Sequence, residues 1–316
     1  MKKIIFAFIA FWILSCKKNE NHTLQDVVSK SELREMVKFF ASDKMKGRQT
    51  GSEEIEVAAQ FIENQFKSYG IKPYYDTYRD EFKVRDINAF NVVGFLEGKD
   101  ETLKDEIVII GAHYDHIGYG KLVGNDSIAN GANDNATGTA AVLTLAKHLA
   151  KKNNNKRSLM FVLFSAEEMG LKGAQHLAKR LSEEEANIYT MVNLEMIGVP
   201  LKDTEYMAFL TGYEYSNMAE IINAFLGENI IGASEISKKN KLFFRSDNYP
   251  FYKQMNIPSH TLSSCDMTNF DQYHKVGDQI ELLDFEFMTD LINTLAPAIE
   301  FMCNTEKQEI QLYVKK

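Results

Sequence analysis

The run EIVIIGAHYDHIG, residues 106–118, joins an uninterrupted apolar strand to a cluster of ionisable side chains. Residues 107–110 are all β-branched, with no polar residue at alternate positions, the pattern of a strand buried on both faces. Such strands belong to sheets covered by helices on both sides. Just past the strand end, His113 and Asp115 stand two residues apart. In extended backbone, side chains two apart point the same way, so the carboxylate can orient the imidazole on a metal.

The same alternation continues along the chain. A helix is expected over about 137–151, a second buried strand over 159–165, a helix to about 181 and a strand through 191–195. Upstream, 31–41 and 52–69 read as helices, the second with Ser52 as N-cap, Glu53 and Glu54 in its first turn and Gly70 after its end. Residues 74–82 and 89–96 read as neighbouring strands. Downstream come a strand at 206–210, a helix around 216–226, a strand near His260 and a closing helix over about 284–302, with a kink expected at Pro297. The fold class is therefore α/β, a single domain of three layers, α/β/α, around a central mixed, mostly parallel sheet with helices on both faces.

The 316 residues carry 36 Lys+Arg against 44 Asp+Glu, a formal net charge of −8, which excludes a broadly basic nucleic-acid surface. The N-terminus reads as an export signal. Lys2 and Lys3 precede eleven apolar residues, 4–14, which as a helix rise only about 16 Å and cannot cross a bilayer. Residues 13–16, Ile-Leu-Ser-Cys, resemble a bacterial lipobox. The expected organisation is a lipoprotein-type signal peptide at 1–15, a polar tether at 16–30 and the folded domain at 31–316. A lipid on Cys16 would anchor the exported chain to a bacterial membrane, on the periplasmic or cell-surface side. For Cys265 and Cys303, a disulfide and two separate buried thiols both remain open.

Further ionisable groups fall where predicted strands end. "NGANDNATGTAAVL" (130–143) is a polar loop opening a helix, in which Asp134 can hold a cation while small residues admit the backbone. "SAEEMGLKGA" (165–174) puts Glu167 and Glu168 side by side at the expected start of a helix, able to divide metal binding and proton transfer. "NLEMIG" (193–198) supplies Glu195 and "DQYHKVGD" (271–278) supplies His274. Each alone is ordinary, since Asp/Asn/Gly loops are turns and acidic pairs at helix starts serve the dipole. Together they mark one sheet edge, where α/β folds place their sites.

The ordered set "HYDHIG", "GANDNATG", "FSAEEMGLKGA", "NLEMIG" and "YHKVGD" resembles the co-catalytic dizinc aminopeptidases, the family of bacterial leucyl aminopeptidases with the glutaminyl cyclases as a divergent branch. "ASDKMKGRQTGSEE" (41–54) and "FRSDNYPFY" (244–252) are similar to that family too. The resemblance implies a zinc exopeptidase fold holding two Zn²⁺, with Asp134 bridging them. Glu168 and His274 would complete one ion's ligands, His113 and Glu195 the other's. Asp115 would orient His113, and Glu167 would be the general base for a metal-bridging hydroxide that cleaves N-terminal residues from peptides. The family usually has Asp where this chain has Glu195. The extra methylene must fold back, or the backbone retreat, for the second ion to bind normally; a weak or single-zinc site is the alternative. Asn248 replaces a frequent His to which no metal role attaches. His22, His148 and His176 read as bystanders, while His116 and His260 could line the cleft. A glutaminyl cyclase is the rival enzyme, but its pocket in this family is shaped by tryptophans, and the one Trp here is Trp12, in the signal. A non-catalytic binding protein would require lost ligands, and none is lost.

Overall fold

The computed structural model describes residues 28–314. Eleven strands form: β1 (Lys72–Pro73), β2 (Arg79–Val84), β3 (Ile87–Leu96), β4 (Ile107–His113), β5 (Tyr119–Val123), β6 (Asp126–Ile128), β7 (Ser158–Phe164), β8 (Ile188–Leu194), β9 (Ala208–Leu210), β10 (Ile231–Gly232) and β11 (Ser259–Ser263). The helices are α1 (Lys30–Phe40), α2 (Glu53–Tyr69), α3 (Thr137–Lys152), α4 (Lys172–Glu183), α5 (Met218–Leu226), α6 (Glu235–Lys239), α7 (Asn248–Met255) and α8 (Phe285–Asn304).

Nine strands make one sheet in the order β1-β3-β7-β4-β8-β11-β9-β10, with β2 also on β3. The four central strands, β7, β4, β8 and β11, are mutually parallel, and antiparallel pairing begins at β3 on one side and β9 on the other. The sheet is thus mixed, with the parallel register concentrated at its centre. All seven residues of β4 are buried, and they divide by period two. Val108, Ile110 and Ala112 join the core with α1, α2, α3, α5 and α8, while Ile107 and Ile109 join the core with α4 and α7. The apolar run therefore feeds both faces of a three-layer stack, as its pattern requires.

Local chemistry sets the element ends. Ser52 Oγ accepts the Ile55 N–H at 3.2 Å and Gly70 closes α2 in the left-handed region, at φ 75°. Val28 is buried and its N–H donates to Asn293 Oδ1, while Ser29 caps α1. The expected strand at 74–82 forms only from Arg79, and α8 runs on through Pro297 to Asn304. Cys265 and Cys303 are separate buried thiols. The expected signal peptide, Cys16 and His22 lie outside the described residues, among which no helix is long and apolar enough to cross a membrane.

One buried cation ties the edge of the sheet together. Arg48, from "GRQTGSEE", is fully buried. Its guanidinium donates to the carbonyls of Phe40, Tyr114 (2.9 Å), Asn130 (2.8 Å) and Gly131 (3.1 Å). These carbonyls lie at the end of α1, just after β4 and in the loop before α3, so one side chain fixes three segments. Burial pushes the Arg48 guanidinium down to about 10 while leaving it charged at neutral pH. Arg48→Met is expected to cost about 3–5 kcal/mol in urea unfolding followed by circular dichroism, because it strands four carbonyls. Arg48→Lys should recover only part of that. A loss under about 1 kcal/mol for the Met variant would contradict this role.

Candidate metal centre

The site sits where β4, β7 and β8 end. Backbone polar groups of the loop after β6 are anchored on three sides, which leaves the Asp134 carboxylate facing the cleft. Asp278 accepts the N–H groups of Asn133 (2.7 Å) and Asp134 (3.0 Å) with its two oxygens. Asn133 Oδ1 accepts from Gly198 N–H at 2.9 Å. Asn135 Oδ1 accepts from Met196 N–H at 3.1 Å and its amide donates to Leu194 at 3.0 Å. The two asparagines therefore weld the Asp134 loop to the turn carrying Glu195. Gly138 permits that contact, since a Cβ there would lie 2.2 Å from the Leu194 carbonyl.

Asp134 is buried, and its two oxygens face different partners. Oδ1 lies 3.2 Å from His113 Nε2, and Oδ2 lies 3.3 Å from His274 Nε2. His274 Nε2 is also 2.9 Å from Glu168 Oε2. Glu195 reaches the first group despite its extra methylene: ligand atoms of His113, Asp134 and Glu195 all fall within 4.8 Å of one another. Ser246 Oγ donates to Glu195 Oε2 and thereby holds the longer side chain. Asp115 orients His113 chiefly through its main-chain carbonyl, 3.1 Å from Nδ1, with its carboxylate at 3.8 Å. The carboxylate instead accepts from Thr50 Oγ1 (3.0 Å) and from Glu167 N–H (3.2 Å). Asp115 thus positions the turn that bears Glu167 as well as the imidazole.

Glu167 and Glu168 do not begin a helix, as the sequence suggested. Ala166 and Leu171 take positive φ (54° and 61°), the chain turns back through Gly170, and α4 starts only at Lys172. That turn leaves both glutamates half-buried at the rim of the cleft, above buried His113, Asp115 and Asp134.

The structure also brings in residues to which the sequence reading gave no ligand or proton role, His116 having been expected only to line the cleft. His116 is fully buried, with Nδ1 2.9 Å from Glu168 Oε1 and 3.7 Å from Asp134 Oδ2. Asp247, after Ser246, is buried with neither oxygen hydrogen-bonded. Thr50, Arg48 and Asp278 lie in motifs whose only sequence signal was their resemblance to the family. By contrast His148 pairs with Glu300 (2.7 Å), His176 with Asp80 (3.2 Å), and Asn248 is taken up by hydrogen bonds to Phe243, Ser259 and Thr261.

The electrostatics call for cations. Burial, reinforced by Glu195, Asp247 and Glu168, pushes the Glu167 carboxyl well above the usual range, with His113 opposing. Burial likewise pushes Glu195 up to about 7. Burial opposes ionisation of Asp134 as well, but the imidazoles of His113 and His274 hold its carboxyl well below the usual range. So many carboxylates cannot share one low-dielectric pocket as anions without counter-charge. Donor spacing agrees with zinc. Ligands about 2.0–2.1 Å from a tetrahedral zinc stand about 3.3 Å apart, and the His113–Asp134 and His274–Asp134 separations are 3.2 and 3.3 Å. The atoms aimed inward, His113 Nε2, His274 Nε2 and Asp134 Oδ2, have no hydrogen-bond partner.

Comparison with known proteins agrees with this geometry. Residues 91–299 match Peptidase family M28, and the chain belongs to that family. Among curated relatives, Aminopeptidase YwaD of Bacillus subtilis is 35% identical over 109 residues, covering 34% of this chain and 22% of that protein. The chain spans between 23% and 54% of the length of the first curated relatives it matches, each a probable zinc metalloprotease. Two solved structures share the fold. Legionella pneumophila LapA aminopeptidase superposes with a TM-score of 0.70 at 20% identity, over 97% of this chain and 81% of its own. Porphyromonas gingivalis glutaminyl cyclase gives 0.67 at 16% identity, over 88% and 100%.

His260 is a core residue of β11 rather than a cleft residue. Its Nδ1–H donates to the Thr211 carbonyl (2.8 Å), and Nε2 accepts from Ser216 Oγ (2.7 Å). Burial lowers this imidazole to about 4, with the Thr211 bond opposing. The unfolded chain takes up this proton near pH 6.5 and the folded protein only near 4. His260 therefore contributes full stability above about pH 6.5 and loses it as pH falls toward 4, up to about 3 kcal/mol. Urea midpoints of wild type and His260→Gln should converge as pH drops from 7 to 4; a pH-independent gap would refute this protonation account.

Proposed function

We propose that the protein is an exported, membrane-tethered zinc aminopeptidase that removes N-terminal residues from peptides. The observation that carries this is Asp134, whose two oxygens each face a separate His and Glu set, beside the half-buried Glu167. His113 and Glu195 would hold one ion, Glu168 and His274 the other, with Asp134 shared. Bound zinc would supply a Lewis acid for the scissile carbonyl and lower the pKa of an attacking water.

The chain's own groups handle position and protons. Glu167, freed by its turn from helical geometry and fixed by the Asp115–Glu167 N–H bond, takes a proton at its carboxylate and returns it to the departing amine. Its carboxyl, raised by burial, suits a group that must both accept and release a proton. A small cavity of about 30 Å³ beside Glu195, lined by Phe209, Leu242, Arg245, Met267 and Tyr273, has room for about a water-sized group and would adjoin the N-terminal residue of the substrate. Glu195, the one carboxylate in its lining, offers a charge partner for a free amino group that an internal amide nitrogen lacks. The signal-like run at 1–15 and the lipobox-like Cys16 support a lipid-anchored, exported chain.

Glu167→Gln should lower kcat/KM on aminoacyl-anilides by about 10²–10⁴ while leaving bound zinc unchanged. Chelation should abolish wild-type hydrolysis, and zinc should restore it. Unimpaired hydrolysis by the Gln variant would sink the mechanism. Turnover of N-terminal Gln peptides without amide hydrolysis would shift the activity to glutaminyl cyclisation.

A further inference from the structure

We propose that His116 is a third imidazole ligand of the centre, the fourth protein donor on the Asp134–Glu168–His274 side, which makes the two metal positions unequal. This rests on the metallopeptidase reading above, which counts only His113 and His274 as imidazole ligands.

Geometry carries the assignment. His116 Nδ1 and His274 Nε2 approach the Glu168 carboxylate from its two oxygens, each at 2.9 Å. The same two nitrogens lie 3.7 and 3.3 Å from Asp134 Oδ2. These separations, two of them to different oxygens of one carboxylate, lie near the ~3.3 Å expected between neighbouring ligands of one zinc. The two rings cross at 70° with centroids 5.7 Å apart, so neither blocks the other. Ligand atoms of His116, Asp134 and Glu168 form a group within 4.8 Å, just as His113, Asp134 and Glu195 do.

The surroundings of His116 argue against a packing role. A structural imidazole in this chain, His260, has hydrogen bonds at both nitrogens. His116 has one nitrogen on a metal-site carboxylate and the other, Nε2, buried with no partner. Space for the ring is made by Gly131, where a Cβ would lie 2.5 Å from the imidazole. Arg48 holds the Gly131 carbonyl and so fixes that wall.

The consequence is asymmetry. Asp134, Glu168, His116 and His274 would supply four donors, the number in a closed zinc site. His113, Asp134 and Glu195 supply three donors, the composition of a site that keeps one position for water or substrate. The ion on the His113 side is then the one that faces the peptide, with Glu167 beside it.

Cobalt(II) tests this without any assay of turnover. The full chain, stripped by chelator and reloaded with Co²⁺, should show hyperfine-shifted ring N–H proton resonances, one for each coordinated imidazole whose N–H is protected from exchange. One of them should vanish in His116→Gln while the His113 resonance stays. Affinity for the first Co²⁺ bound should fall about 10–100-fold in the same variant. In His116→Cys, a thiolate-to-cobalt charge-transfer band should appear, which a residue that merely orients Glu168 would not produce. If wild type binds two Co²⁺ but His116→Gln retains every shifted resonance and His116→Cys shows no charge-transfer band, His116 is not a ligand and the two-histidine centre stands. If wild type binds no Co²⁺ at all, the metallopeptidase reading falls and takes this proposal with it.

Discussion

A single carboxylate must point its two oxygens in two directions while remaining out of water, and much of the surrounding structure exists to hold it so. Asp134 cannot do this from a free loop, because a buried anion in a flexible segment would relax toward solvent or protonate. Asn133 and Asn135 on either side reach across to the β8 turn, Asp278 captures two successive N–H groups, and Arg48 grips the carbonyls just upstream. Because the same bonds end on Gly198, Met196 and Leu194, they fix the Glu195 turn at the same time. One network of hydrogen bonds thus sets the spacing between ligands drawn from different strands.

The acid surplus follows from that arrangement. Asp115, Asp134, Asp247 and Asp278 are buried within or beside the cleft, and Glu167, Glu168 and Glu195 rim it. Arg48 is buried among them but spends its donors on carbonyls, so it offsets their field without pairing with any one carboxylate. In a medium of low effective dielectric, such a cluster is tolerable only with divalent counter-charge or with several protons bound. Burial and mutual repulsion push Glu167 and Glu195 up, whereas Asp134, between two imidazoles, is held down. A cluster that ionises unevenly provides both ligands that stay anionic and a carboxylate that can carry a proton.

Much of this was legible in the sequence, and the exceptions have physical causes. The apolar run 107–110 could only be a doubly covered strand, and the groups just beyond it and its fellow strands could only meet at one edge. His113, Asp134, Glu168, Glu195 and His274 do come together there. The helix expected at Glu167 failed because an acidic pair ahead of a helical pattern says nothing of the positive φ at Ala166 and Leu171 that delays α4. Arg48, and the direction in which His116 enters the cleft, stayed hidden for another reason. Arginine is normally a surface residue, and an imidazole three positions after His113 has no fixed direction once the strand has ended. Three of the four Arg48 contacts lie 66 to 83 residues away and the His116–Glu168 contact 52, which local pattern does not encode.

The central claim is that Asp134 is shared by two metal positions, and zinc stoichiometry of Asp134→Asn tests it most directly. Wild type titrated with zinc by calorimetry, with metal counted after gel filtration, should bind two ions per chain, and Glu195→Gln should keep one of them at near wild-type affinity. Asp134→Asn should weaken both positions together, with neither ion held at wild-type affinity. A folded Asp134→Asn variant that still holds one zinc with wild-type affinity would show that the carboxylate serves a single ion, and would contradict the bridged centre.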